Sequence, residues 1–366
     1  MFRSPTAFLG SDLVALLPAI RECLLRSLNP ANRDFSVRTI DLSKEATNLF
    51  DPSFTSPSAV HAGVGVQRQL ARDVALSADL VWREFRHTLL SGIDYNRVGS
   101  NGGAVIPLCS AAQRNDVHAT CSNGPIAFDN SDGRARYVGL LVRLDKRLSA
   151  RSQLLAAYAL GRYSGTNGTG AGTGFSNDDR TRNDGPLPND GRHTLNVSGT
   201  FDLPAGMQIA VNASAASALP FSAYVAGIDF DGDGTTGDLL PGTTVNQFRG
   251  SSGKDELVQL IATYNQQRAH RTTAGGQIAP FLTLPATFSF NDGLFSVDVR
   301  VARAFAVRVV RAQIFGEVFN LLNTANLVGY DGNLAGAAFG QPASRFTQVF
   351  GSGGPRAAQV GAKLTF

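Results

Sequence analysis

The feature that most limits the fold of this chain is a two-residue period of apolar side chains, running from residue 58 to the C-terminus. In 60-VHAGVGVQRQL-70, Val60, Ala62, Val64, Val66 and Leu70 fall on one face, as they do only when successive side chains point to opposite sides of a strand. Val74, Leu76, Ala78, Leu80 and Trp82 repeat the pattern, and so do Val138, Leu140, Val142 and Leu144. Further segments are 154–160, 195–203, 207–215, 295–305, 309–321 and 356–366; a tenth, 35-FSVRTIDL-42, is weaker. Between them the connections alternate. Tight turns (71–73, 149–152, 204–206, 306–308) are followed by long stretches rich in Gly, Asn, Asp and Ser (roughly 88–134, 164–191, 222–293, 323–355).

That rhythm predicts an all-β, antiparallel transmembrane β-barrel segment, with short periplasmic turns, long extracellular loops and strands apolar outward and polar inward. The opposite face carries Gln67, Asp79, Arg143, Asp145, Asn196, Asn212, Asp298, Arg300, Gln313 and Glu317, suited to a wet interior. A β-sandwich also alternates, but does not demand alternating short and long connections. At 17% charged and 43% hydrophobic residues, the chain is too apolar for disorder, and its net charge of +4 over 366 residues forms no concentrated nucleic-acid-binding patch. No apolar run reaches the ~18 residues of a membrane helix. Residues 13–28 place Leu13, Leu16, Leu17, Ile20, Leu24 and Leu28 at helical spacing, predicting a short N-terminal amphipathic helix.

Several segments, in order, carry a family likeness. They are 67-QRQL-70, 94-DYN-96, 192-RHTLNVSGTFDLPAG-206, 219-LPFSAY-224 followed by 229-DFDGDGTTGD-238, 317-EVFNLLNTAN-326 and the terminal Phe366. From 58 to 366 the chain resembles the C-terminal part of a TonB-dependent outer-membrane receptor of the carboxypeptidase-regulatory-like (Oar-like) type. The resemblance implies about nine or ten strands of a larger, 22-stranded barrel with a plug domain, in the bacterial outer membrane. It implies capture of an extracellular ligand and energised uptake through TonB, which the receptor meets through an N-terminal region. The chain thus reads as a fragment, with residues 1–57 a loop and helical segment and 58–366 the barrel portion. Outer-membrane lipid and the barrel assembly machinery are the implied partners. Val360, Ala362, Leu364 and Phe366 would carry the C-terminal assembly signal.

Asp229, Asp231 and Asp233 occupy positions one, three and five of a D-x-D-x-D-G pattern, with Gly234 at the turn and Leu240 where the twelfth-position Glu belongs. Two readings stand. In one, these residues bind Ca²⁺ together with the Thr235 carbonyl and Asp238; in the other, the Asp side chains cap local backbone N–H groups in a turn. Pro220 and Pro241 oppose flanking EF-hand helices. Within the longest loop, 257-LVQLIATYNQQ-267 has the spacing of a short helix. Cys109 and Cys121 form a possible disulfide on an oxidising surface, and two free or buried thiols are the alternative.

No enzyme signature is complete. The run 165-GTNGTGAGTG-174 lacks the G-K-[ST] ending of a phosphate loop, and 251-SSGK-254 lacks its S-D-N and K-T-G companions. His61, His87, His118, His193 and His270 are too scattered for a zinc site. The reading is a non-enzymatic receptor portion; the alternative is a secreted, calcium-stabilised β-sandwich adhesin or glycan-binding module.

Overall fold

A computed structural model describes residues 49–51, 53–94, 96, 106–114, 119, 121, 122, 124, 126–167, 180–307, 310–345 and 353–365. The N-terminal helix, the 35–42 strand, Cys23, His118, most of the 165–174 run and Phe366 lie outside them. In chain order the elements are β1 (Leu49–Phe50), β2 (Ser58–Ala71), β3 (Val74–Asp94), β4 (Ala127–Ser149), β5 (Ser152–Thr166), β6 (Asp184–Pro186), β7 (His193–Leu203) and β8 (Met207–Ala216). They continue with β9 (Pro220–Phe221), β10 (Phe248–Arg249), α1 (Lys254–Gln267), β11 (Leu294–Val307), β12 (Val310–Phe319), β13 (Leu327–Tyr330), β14 (Pro342–Arg345) and β15 (Ala357–Thr365).

All nine main segments expected from the two-residue period are strands of one sheet, in the order β2-β3-β4-β5-β7-β8-β11-β12-β15. The sheet is continuous, unlike the two face-packed sheets of a β-sandwich. Every junction along it is antiparallel. Strand direction therefore alternates, and β2 and β15, the two edges, run the same way.

Register sorts the side chains by chemistry. Trp82, Leu80, Ala78 and Leu76 face Val138, Leu140, Val142 and Leu144 across β3 and β4, while Asp79, Ser77 and Ala75 face Leu141, Arg143 and Asp145 on the other side. The same alternation puts Asn196, Asn212, Asp298, Arg300, Gln313 and Glu317 on that second, polar face. Apolar side chains on the first face stay open: Val64 is 70% exposed and Val360 84%. In hydrocarbon such surface is solvated rather than penalised.

One departure concerns length. The segments expected to be loop from 88 and up to 134 are strand as far as Asp94 and from Ala127. At ~3.3 Å per residue, the 21 residues of β3 span about 70 Å along the strand, more than the 9–11 residues a tilted membrane strand needs. The outer part stands clear of the bilayer, which is why polar and Gly residues are tolerated in it. On the apolar face the change falls just beyond Trp82, where Glu84 pairs with Arg136 and Arg86 with Arg134. The Arg136 guanidinium lies 6.0 Å from the Trp82 ring centroid, and an aromatic at that height suits the interfacial girdle of a barrel.

On the polar face the Tyr137 ring lies over two glycines. A Cβ on Gly139 would come within 2.4 Å of its hydroxyl, and one on Gly161 within 2.9 Å of its ring. The ring thus substitutes for the side chains those positions lack, covering backbone that would weaken the strand. Gly161→Val should displace the ring and cost about 1–3 kcal/mol. The temperature at which the heat-modifiable gel band shifts should fall in Gly161→Val. In a double-mutant cycle, the substitution should cost clearly less in a Tyr137→Ala background; equal costs in both would show that the contact is unimportant.

Candidate functional site

The buried core lies at the end of the sheet bearing the long connections, away from the membrane wall. Phe221, Phe248, Phe290 and Phe339 are nearly inaccessible and join Val225, Leu240, Leu257, Ile261 and Leu282 in one cluster. Phe248 stacks on Phe290 with centroids 4.7 Å apart. The 222–293 stretch, expected as a long loop with one short helix, is thus a folded cap. Gly253, in the left-handed region at φ 85°, is the N-cap of helix α1. Asp255 and Glu256 in its first turn complement the helix dipole, and Leu257, Ile261 and Tyr264 are buried along one stripe. Lys254 of the 251–254 run donates to the Phe288 carbonyl and lies 5.0 Å from that ring, a structural role.

The acidic loop sits in this cap. Asp229 is 2% exposed, and its carboxylate accepts from the backbone N–H groups of Gly232 (2.6 Å), Asp233 (3.2 Å) and Gly234 (2.7 Å). Gly232 and Gly234 have φ near +80°, which curls those amides toward one point. Asp238 accepts from the Phe230 N–H at 2.6 Å. Asp229, Asp231 and Asp238 each bring an oxygen within 4.8 Å of the others. Asp233 and Thr235 are engaged with each other instead: the Asp233 Oδ1 accepts from both the Thr235 N–H and its hydroxyl. Of the five positions singled out from sequence, three converge. Arg182, 49 residues upstream and without any motif to mark it, pairs with Asp231.

This crowd of negative charge is incompletely neutralised. The Asp238 carboxyl is pushed up to about 7, mainly by burial and further by Asp231, Asp233 and Asp229, with the Phe230 N–H opposing. Burial and the Asp233 charge also raise Asp231, against the pull of Arg182. A folded value above the unfolded value of about 4 means that the folded cap holds a proton the unfolded chain releases. Cap stability therefore falls as pH rises from about 4 to 7.

A second charged cluster ties the cap to the wall. Asp190, 1% exposed, accepts from Arg249 at 2.8 Å and Arg192 at 3.1 Å through one oxygen, and from the Tyr163 N–H of β5 at 2.6 Å through the other. Burial pulls the Arg249 guanidinium down from its ordinary value while Asp190 pushes it back up. On the polar face of the wall, Arg300 pairs with Glu317 at 2.9 Å and lies 3.9 Å from the Phe315 ring centroid. These two, with Asp298, Asn212 and Gln153, border a groove of about 470 Å³. Cys109 and Cys121 are joined as a disulfide beside the Leu108–Ser122 bridge. Val360, Ala362 and Leu364 share the apolar face of β15, opposite Gly316, Ile314 and Ala312.

An antiparallel wall with an open apolar face, a polar inner face and elaborated connections at one end defines an outer-membrane β-barrel. The chain belongs to the outer membrane beta barrel domain family, whose model matches residues 23–359, and its place is the bacterial outer membrane. Among curated proteins nothing matches. Similar solved structures include the ferric-catecholate import receptor Fiu of K12 E. coli, at 12% identity and TM-score 0.42, with 85% of this chain and 28% of that one covered. The siderophore receptor PiuA of Acinetobacter baumannii matches at 11% identity and TM-score 0.42 (84% and 28% covered). The ferripyoverdine receptor of Pseudomonas aeruginosa matches at 9% and 0.40 (84% and 27% covered). The chain spans under a third of the length of each.

Two outcomes test this geometry. Replacing Asp190 by Ala removes the carboxylate that Arg249 and Arg192 share, so hydrogen exchange across 217–249 should accelerate. The expected local loss is roughly 2–3 kcal/mol, below the value for a fully buried pair because both arginines are partly exposed. Without divalent cations, hydrogen-exchange protection of the cap, corrected for intrinsic rates, should be higher at pH 5 than at pH 8, and Asp238→Asn should flatten that difference. A pH profile identical in the variant would show that Asp238 does not control it.

Proposed function

We propose that this chain is the C-terminal barrel portion of a TonB-dependent receptor of the carboxypeptidase-regulatory-like (Oar-like) type. Its extracellular cap captures ligand, and the complete receptor imports it with energy relayed through TonB. Residues 58–366 are the barrel part in this reading, and residues 1–57 lead into it. The observation that carries the reading is strand direction. Nine antiparallel strands leave β2 and β15 parallel to each other, so the sheet cannot close on itself, or head to tail with copies, through an antiparallel junction. Bacterial barrels are antiparallel and even-numbered, and an open edge is not tolerated in hydrocarbon. The wall therefore takes an odd number of further strands. The groove bordered by Arg300, Glu317 and Asp298 would face whatever fills the barrel, a plug domain in this reading. The role is binding and passage, with no chemical step.

A closed ten-stranded barrel, with 35–42 as the added strand, is the competing arrangement. Cysteines placed at Val64 on β2 and Val360 on β15, in a Cys23→Ser background, separate the two. In ten strands the edges lie about 10 Å apart, two strand spacings, and a maleimide cross-linker of that length joins them within one chain. In a receptor-sized barrel it does not. Efficient intramolecular cross-linking in outer membranes would sink the receptor reading.

The acidic loop enters as a stabilising element. The oxygens of Asp229, Asp231 and Asp238 suit a hard divalent cation such as Ca²⁺, which takes oxygen ligands, and the raised proton affinity of Asp238 is the demand such an ion would meet. Bound Ca²⁺ would remove the pH-dependent loss, ordering the loop rather than switching it. Millimolar Ca²⁺ should then slow hydrogen exchange in the cap, relative to intrinsic rates, at pH 8 and do little at pH 5, where Asp238 holds its proton. Equal calcium stabilisation in wild type and Asp231→Ala would falsify this site.

A further inference from the structure

Beside the acidic loop, between the end of α1 and the 270–279 segment, lies a groove of about 600 Å³. Its chemistry is cationic where the loop is anionic. Arg268 and Arg271 line it with Gln267, Thr272 and Thr273, and the Phe230 ring forms a wall. Both arginines are exposed, and neither makes an ion pair among the described residues. Arg268 follows a helix C-terminus, where a cation is favoured in any case. Arg271, three residues further on, has no such explanation.

The groove is built rather than incidental. The 270–279 segment is a tight hairpin held by His270 N–H to the Ala279 carbonyl (2.8 Å), Ala279 N–H to Arg271 (2.9 Å) and Thr273 N–H to Gln277 (2.8 Å). It is latched to the acidic loop by the Gly275 N–H on the Asp229 carbonyl (3.2 Å) and the Asp229 N–H on the Gln277 Oε1 (3.3 Å). Phe230 is set edge-on to Tyr264 with centroids 5.8 Å apart. The Asp229 carboxylate is directed onto the amides of its own loop. On the hairpin's far limb, Ile278 and Phe281 are 59% and 56% exposed, and Phe281 stacks on His270.

We propose that this groove binds an anionic oxygen group, carboxylate or phosphate, of a ligand with an adjoining planar apolar part. Arg268 and Arg271 recognise the charge by charge-assisted hydrogen bonds, the Thr272 and Thr273 hydroxyls are within the same lining, and Phe230 takes the apolar part. This rests on the receptor reading for its biological meaning, because it names the ligand chemistry of the extracellular cap.

The test uses the full chain in a neutral detergent with 2-naphthoate as probe, followed by calorimetry. Saturable binding that weakens with salt is expected, with 2-naphthylmethanol, the neutral analogue, failing to bind. Arg271→Gln should weaken 2-naphthoate about tenfold, and the Arg268→Gln/Arg271→Gln pair further. Phe230→Leu should weaken 2-naphthoate more than inorganic phosphate. Equal affinity of the double variant, or of the neutral analogue, overturns the proposal. Displacement by lipopolysaccharide identifies a lipid phosphate as the source of the anion; displacement only by soluble anions identifies a free ligand. Heat-modifiable mobility of each variant reports the barrel separately. Absence of saturable binding by the wild-type chain with mobility intact counts against the groove alone, whereas a chain that never enters the membrane counts against the receptor reading.

Discussion

Everything in this molecule follows from the absence of water around its wall. A peptide N–H or C=O in hydrocarbon has no solvent partner, and leaving one unpaired costs several kcal/mol. The nine strands meet that demand by pairing edge to edge through consecutive antiparallel registers. Strict pairing then dictates side-chain placement, because one face must meet lipid and the other need not. Val64, Leu80 and Val360 stay open on the first face, while Arg300, Glu317 and Asp298 gather on the second. The same demand gives strand direction its weight: the two edges run the same way, so only a parallel pairing could join them directly.

The cap obeys the opposite rule. It stands in water, and its stability comes from burying apolar surface, at about 25 cal/mol for each Å² removed from water. That is why the conventional core, centred on Phe248, Phe290 and Phe339, belongs to the connections rather than to the sheet. Two differently solvated structures must be joined without leaving polar groups stranded at the seam. Asp190 does so by holding the β5 backbone and two arginines at once. Asparagines do the rest. The side chain of Asn326 accepts from the Phe295 N–H at the start of β11 (2.8 Å), and the Asn320 N–H donates to Asp298 (2.8 Å).

The wall was legible in sequence because a two-residue period has no other economical explanation once it repeats with alternating turn lengths. Both faces could be assigned from parity alone, down to Gln67 and Glu317. Strand ends were not legible. Past Trp82 the strands leave the bilayer, and Glu84, Arg86, Arg134 and Arg136 erase the apolar signal while the hydrogen-bond ladder continues. The cap was illegible for another reason. Its core draws single residues from 221 to 339, with no period to announce them; only α1, whose apolar stripe is local, stood out. The acidic loop was visible as a motif, but its pairing with Arg182 bridges 49 residues, and no spacing rule reaches that far.

The cap also separates charge in a way the wall does not. Around Arg300 and Glu317 opposite charges sit together, giving the wall local neutrality on its wet face. In the cap, carboxylates collect in the 229–238 loop, and Arg268 and Arg271 line the groove that also holds Phe230. Backbone amides and Arg182 answer the carboxylates, burial and the neighbouring charges raise the proton affinity of Asp238, and Arg268 and Arg271 have no ion-pair partner among the described residues. Unbalanced charge lowers folding stability, a cost that binding a ligand of opposite charge can offset. This imbalance lies at the water-facing end, on a hairpin latched to the acidic loop through Gly275 and Gln277. A cation that tightened the loop would therefore also fix Phe230 and the hairpin against each other, preparing the cationic groove before any anion arrives.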